Sequence, residues 1–75
     1  MGELSGWSGK DVVRALERLG YVVLRQRGSH VRMRHVDAAR HKSVTIPLHR
    51  ELKIGLLRQI ISDAGISVKD FLQQS

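Results

Sequence analysis

The chain has no cysteine, one proline, and a single residue each of tryptophan, tyrosine and phenylalanine in 75 residues. Without thiols it can form neither a disulfide nor a thiolate metal site, which fits a reducing, cytoplasmic location. With so few aromatic rings it lacks the stacking platform that many single-strand binders use. Its apolar runs are far shorter than the ~18–20 residues that a membrane span needs. We therefore expect one small domain without membrane association.

Positive charge is what the chain has in excess. Thirteen Lys and Arg residues against seven Asp and Glu give a formal net charge of +6. Such a surface attracts polyanions through Coulomb forces and counterion release, although basic residues also serve solubility alone. Here four arginines fall within ten residues: Arg25, Arg27, Arg32 and Arg34. This clustering favours a nucleic acid as the ligand.

Hydrophobic periodicity of 3.6 residues predicts two main helices and a short third one. Ser8 is the expected N-cap of the first helix, and Gly20 supplies its stop. The second helix is predicted from about Lys53 to Ala64, and Ser67 is expected to cap a short C-terminal helix. The predicted buried stripe of the second helix consists of Ile54, Leu57, Ile60, Ile61 and Ala64.

A β-hairpin is predicted between Tyr21 and Val36, with Gly28 supplying the positive φ of a type II′ turn. The register that follows places on one face the pairs Arg27–His30, Arg25–Arg32 and Val23–Arg34. The other face then carries the pairs Gln26–Val31, Leu24–Met33 and Val22–His35. The first face is cationic, and the second is mostly apolar and suited to a core.

A third strand is predicted over residues 43–47, which alternate polar and apolar side chains up to the only proline. The order α-β-β-β-α with a short C-terminal helix indicates an α+β two-layer domain. In this arrangement both main helices cover the apolar face of a three-stranded antiparallel sheet, and the cationic face stays open. We expect residues 1–7 to form a flexible leader and residues 8–75 to form the single domain.

Four histidines raise the question of a metal site. His30 and His35 are five positions apart in one strand and therefore point to opposite faces. His41 is expected in a solvated loop, and His49 follows the third strand. Without cysteine or a spaced carboxylate, no structural zinc is expected, nor any other cofactor. His35, on the core face, is expected to be packed or hydrogen-bonded.

RNA cleavage without a metal ion is the most specific function that these residues suit. It needs a base, an acid and cations on the transition-state phosphate, and a histidine near neutrality can serve as base or acid. His30 among arginines supplies one proton-transfer group and the cationic clamp. Its acid–base partner stays open among Tyr21, Lys53 and His49. The same residues also suit a non-catalytic RNA-binding module, or a domain whose basic face docks a protein partner.

Three segments together resemble the HicA toxins of bacterial and archaeal toxin–antitoxin pairs. They are Gly28-Ser29-His30, residues 44–49 (VTIPLH) and residues 52–67 (LKIGLLRQIISDAGIS). The segments occur in the same order as in that family, and the likeness extends from about residue 12 to residue 72. Gly-Ser-His alone is a weak motif, but its combination with the other two segments is fairly specific.

The resemblance implies a double-stranded-RNA-binding-like fold and a metal-independent mRNA interferase whose catalytic histidine is His30. It also implies a HicB-type antitoxin that covers the active face, with operator DNA bound only through the antitoxin complex. Gly28 and Ser29 match the motif positions before the histidine. The residues expected to bind RNA are Arg25, Arg27, Gly28, Ser29, Arg32, Arg34 and Lys53.

Overall fold

The described part of the chain, residues 3–74 of a computed structural model, contains three helices and three strands. In chain order they are α1 (Gly9–Arg18), β1 (Tyr21–Arg27), β2 (His30–His35), β3 (Val44–Pro47), α2 (Ile54–Ala64) and α3 (Val68–Leu72). The strands form one antiparallel sheet in the order β1-β2-β3. The predicted α+β class and element order are confirmed.

Alternating burial along β2 and β3 divides the sheet into two faces. Val31, Met33, Val44 and Ile46 are buried, whereas the residues between them are exposed. The buried strand residues share one core with buried residues of both main helices: Val12, Ala15, Leu16, Leu57, Ile60, Ile61 and Ala64. The helices therefore cover one face of the sheet and leave the other to solvent. Within residues 3–74 no helix is long and apolar enough to cross a membrane.

The helix ends follow the predicted capping signals. The Ser8 hydroxyl accepts a hydrogen bond from the Asp11 backbone N–H at 3.1 Å, and Ser67 caps α3 in the same way. Gly20 directly follows the last cap residue of α1 and has a φ of +101°. Local side-chain chemistry is therefore enough to set where these helices begin and end.

The prediction is wrong for one core residue of α2. Ile54 is 46% exposed, whereas the other four residues of the predicted stripe are buried. Ile54 is the first residue of α2, almost one turn before the core contacts begin at Leu57. It lines an open groove with Leu4, Val68 and Leu72 instead.

The hairpin register is as predicted next to the turn. Arg27 pairs with His30, and the next two pairs are Gln26–Val31 and Arg25–Arg32. Gly28 has a φ of +59°, and among the described residues only glycines have positive φ, so Ser29 has a negative one. That combination is the type II′ turn.

Beyond Arg25 a β-bulge at Leu24 shifts the register by one residue. The three predicted pairs farther from the turn, Val23–Arg34, Leu24–Met33 and Val22–His35, are therefore wrong. The observed ones are Val23–Met33, Val22–Arg34 and Tyr21–His35. One extra residue in a strand moves every side chain beyond it to the opposite face of the sheet. Tyr21 consequently turns into the core at 1% exposure, while Val22 and Leu24, expected inside, are about half exposed at 47% and 52%.

Buried Tyr21 joins the start of β1 to two other parts of the fold. Its hydroxyl donates to the Lys42 backbone oxygen at 2.7 Å and lies 3.4 Å from that of Ala64 at the end of α2. Burial and the nearby negative charge of Asp63 raise the pKa of Tyr21 above its ordinary value. The phenol is thus held neutral, as a structural hydrogen-bond donor.

The segment before α1 also contributes to the core. Leu4 and Trp7 are each only 8% exposed, and the Trp7 ring lies 4.4 Å from that of Phe71 between centroids. The Leu52 backbone N–H donates to the Trp7 oxygen at 2.8 Å. Residues 3–7 of the expected leader are therefore packed on the domain, and Met1 and Gly2 lie outside the described residues, as does Ser75. The domain boundary at residue 7 stays a prediction.

The backbone of Gly9, the first residue of α1, lies very close to the backbone at the end of β3. A β-carbon at Gly9 would lie 2.7 Å from the Leu48 α-carbon and would collide with the Pro47 carbonyl oxygen. The Gly9 N–H donates to the His49 oxygen at 2.9 Å, and the Leu48 N–H donates to the Ser29 oxygen at 2.6 Å. Helix α1, the end of β3 and the hairpin turn are thereby held together around position 9.

Gly9→Ala should lower the free energy of unfolding by about 2–3 kcal/mol, because the added methyl group meets backbone that cannot move aside. Gly55→Ala is the matched control, since that glycine lies in α2 and has open space where a β-carbon would be added. The control should leave stability unchanged or raise it by up to about 1 kcal/mol. Urea unfolding of the two variants checks this, and equal stability changes would contradict the packing described.

Candidate functional site

The open face of the sheet carries two rows of side chains near the hairpin turn. The row nearer the turn runs from Arg27 across His30 toward Pro47, and the next row contains Arg25, Arg32 and Thr45. Neighbouring strands are about 4.8 Å apart, and side chains of the two rows are separated by about 7 Å. Five of these residues line an open depression of about 240 Å³: Arg25, Arg27, His30, Arg32 and Thr45. We call these five residues the cationic patch.

His30 is the first residue of β2 and directly follows the Gly28–Ser29 turn. Its side chain is exposed, and within residues 3–74 its ring makes no hydrogen bond to protein. The turn therefore presents an exposed imidazole whose two nitrogens are not engaged by the described residues. Such a group can accept or donate a proton at the open surface.

The arginines of the patch lack counter-charges. In the part of the chain that the structure describes, the only ion pair joins Arg40 to Asp37, at 3.8 Å. Arg25 and Arg32 face each other directly across β1 and β2. Like charges in opposed positions repel, so this arrangement costs stability unless an anion lies between them. The patch is thus suited to binding a phosphate or a carboxylate.

Within residues 3–74, Arg32 is the one patch arginine whose side chain has a hydrogen-bond partner. Its Nη1 donates to the Thr45 hydroxyl at 3.0 Å. Thr45 is not among the residues predicted to bind RNA, although its outward direction follows from the buried Val44 and Ile46 on either side. The missing information was the pairing of β3 with β2, which places Thr45 directly opposite Arg32.

Four other residues predicted to bind RNA lie outside the patch. Gly28 and Ser29 form the turn beside it, and Arg34 is exposed farther along β2, opposite Val22. Lys53 is the N-cap residue of α2 and does not line the depression. The structure therefore brings together His30 and three of the predicted arginines, but not the whole predicted set.

His35 and His41 form a separate structural cluster. Their rings stack with centroids 3.8 Å apart. His35 Nδ1 accepts from the Asp37 N–H at 2.8 Å, so Nε2 carries the proton and donates to the Leu19 oxygen at 2.9 Å. His41 Nδ1 lies 2.5 Å from the Ala64 oxygen. The packed role predicted for His35 is confirmed. His41 lies in a loop as predicted, but the prediction that it is solvated is wrong, because its ring is partly buried and caps the end of α2.

None of the three predicted acid–base partners of His30 lines the patch. Tyr21 is buried in the core, Lys53 lies at the start of α2, and the His49 side chain is exposed beyond the end of β3. Across residues 3–74 there is also no group of three or more histidine, aspartate or glutamate side chains placed to hold a metal ion. Among the described residues, the chemistry of the patch rests on one imidazole and three guanidinium groups.

Comparison with known families gives a match over most of the chain. A family model described as "HicA toxin of bacterial toxin-antitoxin" covers residues 9–66, from the start of α1 to just beyond α2, and so includes the whole cationic patch. A comparison with curated proteins gives no match.

Arg25→Gln should raise the free energy of unfolding by about 0.2–1 kcal/mol at low salt, because it removes the repulsion between Arg25 and Arg32. The gain should shrink at high salt, where the repulsion is screened. Arg58→Gln, which removes one exposed charge from α2, is the control and should change stability little. Urea unfolding at two salt concentrations measures both, and a less stable Arg25→Gln protein would contradict an uncompensated patch.

Proposed function

Because this chain belongs to the HicA toxin family of bacterial toxin–antitoxin systems, we propose that it is a metal-independent endoribonuclease that cleaves mRNA and thereby inhibits translation. The observation that carries the proposal is the set of three arginines around the exposed His30 ring, none of which forms an ion pair within residues 3–74. Arginine forks fit the non-bridging oxygens of a phosphate, and the imidazole lies among them to move a proton.

The reaction needs no group beyond RNA and protein. The 2′-hydroxyl oxygen attacks the adjacent phosphorus as its proton leaves to a base, and the bond from phosphorus to the 5′-oxygen breaks. A proton returns to that oxygen, so the products carry a 2′,3′-cyclic phosphate and a 5′-hydroxyl. His30 serves as one of the two proton-transfer groups. Three guanidinium groups stabilise the charge that builds up on the phosphate oxygens.

RNA is bound through its backbone rather than by base stacking. Trp7, Tyr21 and Phe71 are all buried, at 8%, 1% and 0% exposure, so no tryptophan, tyrosine or phenylalanine ring is available to a base. Guanidinium groups contact phosphates of any sequence. The patch therefore favours mRNA of varied sequence as the substrate.

The protein partner is an antitoxin of the HicB type, which neutralises the toxin in the cytoplasm. Unpaired arginines on an open sheet face match an acidic surface, and an antitoxin that covers the patch would exclude RNA. Operator DNA then contacts the complex through the antitoxin. Arg34, which is exposed farther along β2, extends the positive surface along which the RNA continues, and Lys53 at the start of α2 is a further phosphate contact.

RNA affinity should fall steeply with salt. Three phosphate contacts on single-stranded RNA predict a slope of about −2 for log K against log salt, since each contact contributes about −0.7. Arg27→Gln should reduce the slope by about 0.7, and Arg58→Gln should leave it unchanged. Filter binding in a His30→Ala background measures this without cleavage, and a flat salt response would contradict electrostatic binding.

His30→Ala should lower the RNA cleavage rate in excess EDTA by about 100-fold or more, the usual contribution of a general acid or base. Its melting temperature should stay close to that of the wild type, because the ring makes no hydrogen bond to the described residues. His49→Ala is the comparison variant, as this side chain is exposed and outside the patch. Gel analysis of labelled mRNA measures the rates. Full activity of His30→Ala would contradict His30 as a proton-transfer group, whereas RNA retention without cleavage by either protein would instead support a non-catalytic RNA-binding module.

A further inference from the structure

Among the patch arginines, Arg32 alone has a side chain that forms a hydrogen bond within residues 3–74. Its Nη1 donates to the Thr45 hydroxyl at 3.0 Å, whereas Arg25 and Arg27 make no hydrogen bond or ion pair through their side chains within residues 3–74. Arg32 also occupies the central strand, one row from His30, with Arg25 on one side and Thr45 on the other. The three arginines are therefore chemically alike but unequally ordered.

Thr45 is well suited to orient a guanidinium group. Its branched side chain has few rotamers, and its strand is held at the Pro47 end by the contacts with Gly9 and Ser29. A guanidinium group is planar, so a bond to one Nη restricts the direction of its remaining N–H groups. The hydroxyl also opposes the repulsion from Arg25, which would otherwise displace the Arg32 head group.

We infer that Thr45 is a positioning residue that aligns Arg32 on the phosphate undergoing attack. This inference rests on the proposed ribonuclease function. It assigns different roles to the three arginines of the patch. Arg32 stabilises the transition state, because its N–H groups are directed before RNA arrives. Arg25 and Arg27, which are free to move, mainly supply attraction for the RNA backbone.

The test compares Thr45→Val, which keeps the branched shape without a hydroxyl acceptor, with Thr45→Ser, which keeps the hydroxyl. Thr45→Val should lower the single-turnover cleavage rate at saturating RNA by about tenfold, the effect of one hydrogen bond to a charged group. RNA affinity, measured in a His30→Ala background, should change less than about twofold because no charge is lost. Thr45→Ser should recover the rate to within about threefold of the wild type. A wild-type rate in Thr45→Val, or a loss confined to affinity, would overturn the inference.

A double-mutant cycle with Arg32→Lys separates positioning from a general structural effect. Lysine keeps the charge but has no planar fork to align. If Thr45 acts through Arg32, adding Thr45→Val to Arg32→Lys should lower the cleavage rate by less than about twofold. Full additivity of the two losses would show that Thr45 does not act through Arg32 and would overturn the inference.

A spectroscopic measurement keeps this test separate from the proposed function. In ¹⁵N spectra of the free protein at low temperature, the Arg32 Nη groups should show restricted rotation in the wild type and in Thr45→Ser, but not in Thr45→Val. Absence of this difference would overturn the positioning role whether or not RNA is cleaved. If the difference is present and the wild type leaves RNA intact, the proposed ribonuclease function fails while the Arg32–Thr45 contact stands.

Discussion

The register of the β1–β2 hairpin is the constraint on which the rest of the structure depends. The Gly28–Ser29 turn sets Arg27 opposite His30 and the next pair of arginines opposite each other. The bulge at Leu24 then changes the register before the strand reaches Tyr21. Without it, Tyr21 would lie on the side of the arginines and could not join the core. One strand thus serves the cationic patch near the turn and the core at its other end.

The patch is maintained against its own charge repulsion. Its arginines have no acidic partner among the described residues, and the fold holds them through backbone contacts rather than ion pairs. The close approach of Gly9 to the end of β3 and the shared core beneath the sheet provide that support. An RNA phosphate or an acidic antitoxin surface would relieve the repulsion on binding. Under the proposed function, stability given up in the free protein would become affinity for that anionic partner.

Sequence patterns predicted what depends on neighbouring residues and missed what depends on distant ones. The Ser8 and Ser67 caps and the Gly28 turn follow from local chemistry, and the structure has them. The Leu24 bulge was missed because it follows from burying the Tyr21 ring against α2 and the β2–β3 loop. Thr45 was missed because only the pairing of β3 with β2 places it beside Arg32. The hairpin part of the candidate site was therefore predictable, and its β3 part was not.

The most direct test of the account is the chemistry of the RNA ends formed in excess EDTA. Cleavage through the 2′-hydroxyl, with His30 as a proton-transfer group, predicts fragments ending in a 2′,3′-cyclic phosphate and beginning with a 5′-hydroxyl. Mass spectrometry of a short RNA treated with the purified protein distinguishes these ends from those of hydrolysis by water. Fragments with 5′-phosphate and free 3′-hydroxyl ends, or cleavage that stops when EDTA is added, would contradict a metal-independent site built on His30 and its arginines.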